Sequence, residues 1–378
     1  VPRMPDKPFR VLSLDGGGMR GTYTATYLAT VAATYAKRNG YEALDIGAAF
    51  DLIVGTSTGG IIACALAAGI RMEEVVELYR EHGPSIFPKR VPGLLGVIPD
   101  LFVRPLYLAS GSRALRAALA EKLKDQTIRG VYEERGIALA IPAVEMSEHK
   151  AWVFKTPHWR ETTGRDDGYT LVDVCMATTA APVFRSMASI KDPRDGKLHH
   201  VFVDGGLWAN NPVVVSLIEA LDIAAPDQEI EIFCLGTCPT PAGEQIGATY
   251  VNRGLGRWKF GAKAAELSID AQQFAYDHQA RKIARHVGRS CRIVRFPSDK
   301  VPATLVPYLG LDDTRDKAMD ALVRRARIDA DMTNSKCSGR ATDPEAEMIC
   351  SLFESAPELT DPPARRSPVM KPASPAAL

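Results

Sequence analysis

A serine in a glycine-rich motif near the start of the chain stands where it could act as a nucleophile. Gly55-Thr56-Ser57-Thr58-Gly59 fits the G-x-S-x-G pattern, in which the serine lies on a strained turn between a strand and a helix. The two glycines leave the room that such a turn requires. Ser57 is therefore a candidate for attack on an acyl carbon, a reaction that also needs a base and N–H donors for the oxyanion. The alternative is a turn in which the serine is incidental.

A second glycine motif, earlier in the chain, could supply those N–H donors. It is Asp15-Gly16-Gly17-Gly18-Met19-Arg20-Gly21, between a predicted buried strand and a predicted helix. The N–H groups of successive glycines can converge on an anion. The same glycines also satisfy the G-x-G-x-x-G fingerprint of dinucleotide-binding folds. That fingerprint needs an acidic residue at the end of the second strand, where this sequence has Gly55, so we favour the oxyanion role.

The candidate base is a carboxylate far downstream. Asp204-Gly205-Gly206 follows a predicted buried strand, 201–203. Because the carboxyl ends of parallel strands meet at one edge of a sheet, we expect Asp204 to approach Ser57 there. An aspartate has an ordinary pKa of about 3.9, so it needs a desolvated position to act as a base. The alternative role for Asp204 is to cap the turn that follows it.

A histidine base has less support. Only His278 and His286 follow Asp204, and both lie in a charged helical stretch that is typical of solvent-exposed side chains. In α/β-hydrolases the histidine comes last in the chain, and several strands precede the nucleophile. Here a single strand–helix unit precedes it. The pattern therefore favours a serine–aspartate dyad over a triad.

The composition is that of an ordinary globular protein. The 378 residues are 46% hydrophobic and 24% charged, with a formal net charge of +1. That balance argues against nucleic-acid binding driven by bulk electrostatics. No apolar run reaches the ~18 residues of a membrane span, and residues 1–5 contain no apolar signal core.

The cysteines indicate a reducing compartment. There are seven, and Cys64 and Cys175 lie in apolar, helix-like stretches, which predicts buried thiols rather than disulfides in a cytoplasmic protein. Cys234 and Cys238 have the spacing of half a zinc site. No second pair with suitable spacing follows, so no metal site is predicted.

The order of the predicted elements indicates an α/β fold. Strand, glycine loop, helix, strand, glycine turn and helix form a βαβα start, from which a mainly parallel sheet follows. Further strands are predicted at 137–146, 151–154, 201–203 and 229–235, and further helices at 172–179, 213–223, 262–287 and 315–331. Beyond about residue 339 the chain becomes polar and then proline-rich, which predicts a disordered tail over 339–378.

One apolar segment fits neither a helix nor a strand. Residues 87–108 contain four prolines and two glycines and lack a clean period. We interpret them as a long surface excursion whose apolar side chains, among them Leu95 and Phe102, form a lid or membrane-docking loop over Ser57. The alternative is a loop packed on the protein's own core or on a second subunit.

Taken together, the three motifs resemble those of the patatin-like phospholipases. That family carries a DGGG-x-[RK]-G loop, a G-x-S-x-G turn and a DG[AG] motif in this order, and the match spans about residues 8–240. Residues 177–182 are similar to a further segment of the family, with Thr179 where serine is more usual. The resemblance implies a three-layer α/β/α catalytic domain over 8–240 with a mainly parallel sheet. A helical C-terminal extension, 241–338, would pack on it.

The resemblance also implies roles for the motif residues. Ser57 is the nucleophile, and Asp204 is the base. The remaining residues hold the oxyanion through their amides (Gly16, Gly17, Gly18 and Met19), brace the loop (Arg20) or complete the motifs (Asp15, Gly21, Gly55, Gly59, Gly205 and Gly206). The implied reaction is hydrolysis of phospholipid or other glycerolipid acyl esters at a membrane surface, with no metal or other cofactor required for catalysis.

A narrower resemblance is to the patatin-like effectors of bacterial anti-phage systems. It is carried by the lead-in Arg10-Val11-Leu12-Ser13-Leu14 and by the helical C-terminal third. It implies activation by a cyclic dinucleotide such as cyclic GMP-AMP, and attack on the cell's membrane from its inner, cytoplasmic face. No residue identifies a nucleotide pocket. A constitutive esterase and a non-catalytic ligand-binding protein stay open as alternatives, and so does a homo-oligomer.

Overall fold

A mixed sheet of eight strands lies at the centre of the part of the chain that the structure describes. This computed structural model describes residues 7–88, 97–158, 163–238, 246–247, 251–252, 254, 258, 262–297, 301–338 and 343–365. The strands are β1 (Phe9–Leu14), β2 (Leu52–Gly55), β3 (Ala138–Glu145), β4 (Lys150–Lys155), β5 (Ala188–Lys191), β6 (His199–Asp204), β7 (Ile230–Leu235) and β8 (Cys291–Phe296). Their order is β5-β6-β3-β2-β1-β7-β8, with β4 paired to β3.

The middle of the sheet is parallel. The parallel pairs are β3–β2, β2–β1, β1–β7 and β7–β8. The antiparallel pairs are β3–β4, β3–β6 and β5–β6. All six residues of β1 are buried, as expected for a strand covered on both faces. The prediction of an α/β fold with a mainly parallel sheet is confirmed.

Helices cover both faces of the sheet. They are α1 (Gly21–Asn39), α2 (Thr58–Ala67), α3 (Met72–Ile86), α4 (Val97–Leu123), α5 (Ile128–Arg135), α6 (Leu171–Thr178), α7 (Gly206–Ala209), α8 (Val213–Ile223), α9 (Ala262–Ala284), α10 (Asp316–Ser338) and α11 (Pro344–Glu354). Because side chains alternate along a strand, Leu12 and Leu14 join the larger core with α1 to α4, while Phe9 and Val11 face α8 on the other side. None of the described helices is both long and apolar enough to cross a membrane.

The predicted surface excursion is wrong for residues 97–108, which form the first half of α4. In this half of α4, apolar residues do not recur at the spacing of an amphipathic helix, because some of its apolar side chains do not face the core. Leu106 and Tyr107 are exposed, whereas Leu115 and Leu119, further along the same helix, are buried.

The lid hypothesis concerns side chains that are not described. Residues 89–96, with Leu95, lie outside the described residues, and so does the side chain of Phe102. The role of these two residues as a lid over Ser57 therefore stays a prediction.

The predicted disordered tail, 339–378, is wrong for residues 343–365. This stretch contains α11, whose first turn is capped by the Asp343 carboxylate. Phe353 stacks on Tyr35 of α1, with ring centroids 5.6 Å apart. The polar average composition hid the apolar positions of a short helix, which pack into the larger core.

The C-terminal region is not purely helical. β8 joins the sheet beside β7, and β5 is likewise a strand that the sequence pattern did not predict. Arg292 and Arg295 interrupt the apolar run of β8, which hid the strand. Cys337 and Cys350 form a disulfide between α10 and α11, contrary to the expectation of free thiols. Cys64 and Cys175 are free and buried, as predicted.

Replacing Phe353 with alanine tests whether α11 belongs to the folded core. Phe353 is 1% exposed, and truncating a buried phenylalanine typically costs about 3–5 kcal/mol. We expect the free energy of unfolding in urea to fall by that amount. Phe274→Ala is the matched control, because Phe274 on α9 is 68% exposed, and it should change this free energy by less than about 0.5 kcal/mol. Equally small effects at both positions would contradict the docking of α11.

Candidate active site

Ser57 occupies the turn between β2 and α2, which we call the nucleophile elbow (residues 55–59). Its φ of 55° and ψ of −122° are strained for a residue with a side chain. The turn is also close to β1, because a Cβ at Gly59 would collide with the carbonyl oxygen of Leu14. The elbow thereby presents the Ser57 side chain to a cleft.

Thr178, the last residue of α6, holds the elbow in place. The backbone N–H of Ser57 donates a hydrogen bond to Thr178 Oγ1 at 2.9 Å. Thr178 Oγ1 in turn donates to the carbonyl oxygen of Pro142 on β3 at 2.6 Å. The neighbouring Thr179, which stands where the family more usually has serine, donates its hydroxyl to the carbonyl of Cys175 instead.

Asp204 lies against Ser57 and is oriented by a second contact. Ser57 Oγ donates to Asp204 Oδ2 at 2.7 Å. The backbone N–H of Gly206 donates to Asp204 Oδ1, also at 2.7 Å. Burial raises the pKa of the Asp204 carboxyl to about 6, although these two hydrogen bonds and the Arg185 charge oppose the rise. A carboxylate in this state is a stronger base than an exposed aspartate.

The two side chains meet for a different reason from the one expected. β6 does not run parallel to β2; it is antiparallel to β3, with Asp204 opposite Ala143. The pairing of β2 with β3 ends at Val54 and Ala140, but β3 continues to Glu145. β6 pairs with the end of β3 that extends beyond β2. This pairing places Asp204 next to the elbow.

In the oxyanion loop, residues 15–21, two of the four amides assigned to the oxyanion already have partners. The N–H of Gly16 donates to the carbonyl of Asn210 at 2.9 Å, and the N–H of Met19 donates to the carbonyl of Leu311 at 2.9 Å. These two bonds hold the loop at both ends. They also engage two of the four amides that the sequence assigned to the oxyanion.

The N–H groups of the two residues between them, Gly17 and Gly18, can donate hydrogen bonds to an anion. Within the described part of the chain, no hydrogen-bond partner of the Gly17 or Gly18 N–H occurs. Both glycines line the same cleft as Ser57. Gly18 has a φ of 56°, and a Cβ there would collide with the Leu311 carbonyl oxygen, so a side chain is excluded. We therefore narrow the oxyanion donors to Gly17 and Gly18.

A partly buried ion-pair network fixes the start of the oxyanion loop. Arg295 of β8 donates through Nη1 to Asp15 Oδ2 at 2.7 Å and through Nε to Asp277 Oδ2 at 2.7 Å. Burial opposes the Arg295 charge, but the two carboxylates outweigh it and raise the pKa of Arg295 above its usual range. Arg20 Nε also reaches the Gly17 carbonyl at 3.4 Å, a contact that suits the predicted bracing role.

The segment after Asp204 connects the other two motifs. Thr56 Oγ1 in the elbow donates to the carbonyl of Ala209 at 2.6 Å. The next residue, Asn210, accepts from the oxyanion loop as described, and its own N–H donates to Gln272 Oε1 on α9 at 2.8 Å. Sequence reasoning missed Asn210 and Gln272, because their contacts are made by backbone groups or between distant segments.

The remaining motif glycines are sites of close approach. A Cβ at Gly21 would collide with Thr58 Oγ1, and one at Gly205 with the Pro142 carbonyl oxygen. Side chains at Gly55 and Gly206 would likewise meet neighbouring atoms at less than contact distance. These positions let three turns pack together around Ser57.

The histidines considered from the sequence lie elsewhere. His278 and His286 are exposed, and neither is among the described residues that line the Ser57 cleft. Cys234 and Cys238 are buried in different apolar clusters. Among the described residues, no group of three or more histidine, cysteine, aspartate or glutamate side chains could hold a metal ion.

The cleft beside Ser57 is large and mostly apolar. It encloses about 870 Å³, counting space open to solvent. Its walls include Ile61, Leu115 and Phe184, with Arg185 and Asp204 among its few polar side chains. Apolar walls with a few placed polar groups are typical of sites for ligands with long hydrocarbon parts.

Comparison with known proteins agrees with this chemistry. A family model described as patatin-like phospholipase matches residues 12–217. A cGAMP-activated phospholipase of Pseudomonas aeruginosa is 35% identical over 281 residues, which are 72% of this chain and 75% of that protein. One of Escherichia coli is 30% identical over 332 residues, 85% of this chain and 89% of that protein.

Among solved structures, human GIVD cytosolic phospholipase A2 is similar with a TM-score of 0.42 and 10% identity, covering 92% of this chain and 60% of that chain. A likeness at this level adds no weight to the assignment. The sequence comparisons carry it by themselves, since the family model covers more than half of the chain. The protein belongs to the patatin-like phospholipases and is a lipid ester hydrolase.

Proposed function

We propose that the protein hydrolyses acyl esters of membrane phospholipids with a Ser57–Asp204 dyad, and that a cyclic dinucleotide activates it as an anti-phage effector. The observation that carries the catalytic part is the 2.7 Å hydrogen bond from Ser57 Oγ to Asp204 Oδ2. It lies beside the N–H groups of Gly17 and Gly18, which have no partner among the described residues and can donate hydrogen bonds to an oxyanion.

Acylation follows from this arrangement. Ser57 Oγ attacks the ester carbonyl carbon while its proton passes to Asp204 Oδ2. The carbonyl oxygen becomes an oxyanion and accepts hydrogen bonds from Gly17 and Gly18, each of which can lower the barrier by about 3 kcal/mol. Asp204 then returns the proton to the departing lysolipid alkoxide, and the acyl group remains on Ser57.

Deacylation uses the same base. Asp204 takes a proton from a water molecule, which attacks the acyl-enzyme carbonyl, and the second oxyanion occupies the same site. Collapse of this intermediate returns the proton to Ser57 Oγ and releases the fatty acid. The Gly206 N–H keeps Asp204 Oδ1 in place, so that Oδ2 stays directed at the reacting atoms.

Regulation by a nucleotide is supported by the relatives. Two proteins named cGAMP-activated phospholipases are 30–35% identical to this chain over most of its length. On that basis we propose that cyclic GMP-AMP also activates this protein. The target is then the cell's own membrane, reached from its cytoplasmic face, and catalysis itself needs no cofactor. Assembly into a homo-oligomer belongs to the same proposal.

Exposed apolar side chains near the cleft suit contact with a lipid surface. Leu207 lines the cleft and is 42% exposed. Val183, between the cleft residues Pro182 and Phe184, is 41% exposed. Apolar side chains at the mouth of a site can enter the acyl boundary of a membrane and shorten the path of a lipid to the nucleophile.

Substitution of the two dyad residues tests the catalytic proposal. We expect Ser57→Ala and Asp204→Asn each to lower kcat/KM on a phospholipid by at least about 10⁴-fold, because the two residues act as one unit. A fluorophosphonate probe should label the wild type and not Ser57→Ala. His278→Ala and His286→Ala are the controls and should stay near wild type. A large loss in either histidine variant would favour a triad and contradict the dyad.

The acid limb of the pH profile tests the state of Asp204. The folded pKa is raised from 3.8 to about 6, so the protonated, inactive form predominates below about pH 6. We expect kcat/KM to fall about tenfold per pH unit below that value. Unfolding measured over the same range separates titration from acid denaturation. A fall in kcat/KM that begins only near pH 4 would show that Asp204 is not the desolvated base.

A panel of nucleotides tests the effector proposal. Hydrolysis of phospholipid vesicles is measured for the wild type alone and with each of several cyclic di- and trinucleotides, with linear dinucleotides as controls. We expect little activity without a nucleotide and a saturable increase with cyclic GMP-AMP or a close relative. Activity that is high throughout and ignores every nucleotide would identify a constitutive phospholipase instead.

A further inference from the structure

An arginine is buried in the catalytic cleft without adequate partners. Arg185 lines the same cleft as Ser57 and is 6% exposed. Its Nε and Nη1 atoms are buried and have no hydrogen-bond partner among the described residues. Its Nη2 atom has a contact of 3.5 Å with Ser112 Oγ, at the long limit for a hydrogen bond. Two of the three guanidinium nitrogens are thus unused.

A buried guanidinium with unused N–H donors is energetically unfavourable. Buried polar groups are normally hydrogen-bonded, and a buried charge is normally paired. Burial lowers the pKa of Arg185 to about 10, so the side chain still carries its charge at neutral pH. The nearby Asp204 carboxylate interacts with Arg185 through its charge, but the described hydrogen bonds to its oxygens come from Ser57 and Gly206. Within the described part of the chain, Nε and Nη1 of Arg185 therefore remain without an acceptor.

The backbone fixes Arg185 beside the dyad. Its N–H donates to the carbonyl of Ala181 at 2.8 Å, in the turn that follows α6. The same turn accepts the N–H of Asp204 at the carbonyl of Ala180, at 3.1 Å. The guanidinium carbon lies 5.9 Å from the centre of the Phe87 ring, a cation–π distance. Arg185 is therefore positioned by the segment that also positions the base.

The chemistry of the cleft indicates which anion fits. Among the described residues that line the cleft, Arg185 is the sole cation, and most of the others are apolar. A suitable ligand combines hydrocarbon with one anionic group close to the ester. In a glycerophospholipid the phosphodiester is attached to the carbon next to one that bears an acyl ester. A guanidinium offers two parallel N–H groups to such phosphate oxygens.

We propose that Arg185 binds the phosphodiester group of a glycerophospholipid whose acyl ester lies at Ser57, and so selects phospholipids over neutral glycerolipids. This inference rests on the proposed function and narrows its substrate class. Because every glycerophospholipid carries this phosphate, Arg185 selects the class and leaves the headgroup unspecified.

The test is the ratio of kcat/KM for two lipids with identical acyl chains. Phosphatidylglycerol and diacylglycerol are presented in the same mixed detergent micelles, with the nucleotide that activates the wild type, if one does. Arg185→Gln should lower the phosphatidylglycerol/diacylglycerol ratio by about tenfold or more, the effect of one charge-assisted hydrogen bond. Arg185→Lys keeps the positive charge but lacks the two parallel N–H groups of the guanidinium, so it should give an intermediate ratio.

Arg116→Gln is the matched control. Arg116 lies on α4, pairs with Asp173 at 2.8 Å and is 45% exposed, so its loss should leave the ratio at the wild-type value. Thermal unfolding midpoints verify that each variant is folded. If Arg185→Gln does not fold, Arg185→Lys is compared with the wild type in its place, and the reverse holds as well.

Three results would overturn the inference. An unchanged ratio in Arg185→Gln would show that the guanidinium does not contact the phosphate. Equal losses on both lipids would assign Arg185 to the positioning of Asp204. A change confined to the nucleotide concentration for half-maximal activation would show that the bound phosphodiester is the nucleotide. A wild type that hydrolyses neither lipid would refute the proposed function first, and the inference with it.

Discussion

The hydrogen bond between Ser57 and Asp204 is the constraint on which the rest of the structure depends. It spans 2.7 Å between residues 147 positions apart in the chain. Ser57 is held there by a strained backbone that only surrounding contacts can maintain. Asp204 is held there because β3 extends past β2 and gives β6 an antiparallel partner at the level of the elbow. If β3 ended where its pairing with β2 ends, β6 would have no antiparallel partner there and Asp204 would not be held next to Ser57.

Burial gives the site both its reactivity and its selectivity. Removing the Asp204 carboxyl from water raises its pKa to about 6 and makes it a more competent base near neutral pH. The same desolvation strengthens the hydrogen bonds that Gly17 and Gly18 can offer to an oxyanion. It also leaves the guanidinium of Arg185 with unused donors. One apolar cleft thus accounts for the raised pKa of Asp204 and, in the function that we propose, for the oxyanion site and the preference for an anionic substrate.

The catalytic machinery depends on segments outside the region that the family model matches, 12–217. Arg295 on β8 pairs with Asp15 and orients the start of the oxyanion loop. The Leu311 carbonyl holds its other end, and Gln272 on α9 supports Asn210. The domain boundary expected near residue 240 stays a prediction, and segments on both sides of it contribute to the candidate site. The segments that follow it complete the site.

The sequence by itself determined the elements whose signal is local. The glycine motifs marked Ser57, Asp204 and residues 15–21 as candidates, because strained turns and close approaches exclude other residue types. Apolar runs identified the central strands, because both their faces are buried. Only the tertiary structure decided that β6 runs antiparallel to β3 and that Gly16 and Met19 donate to distant carbonyls. It also decided that two guanidinium nitrogens of Arg185 are buried in the cleft without an acceptor among the described residues. Strand direction, backbone partners and burial of one charge are set by contacts between remote segments, and such contacts leave no period or motif in a single chain.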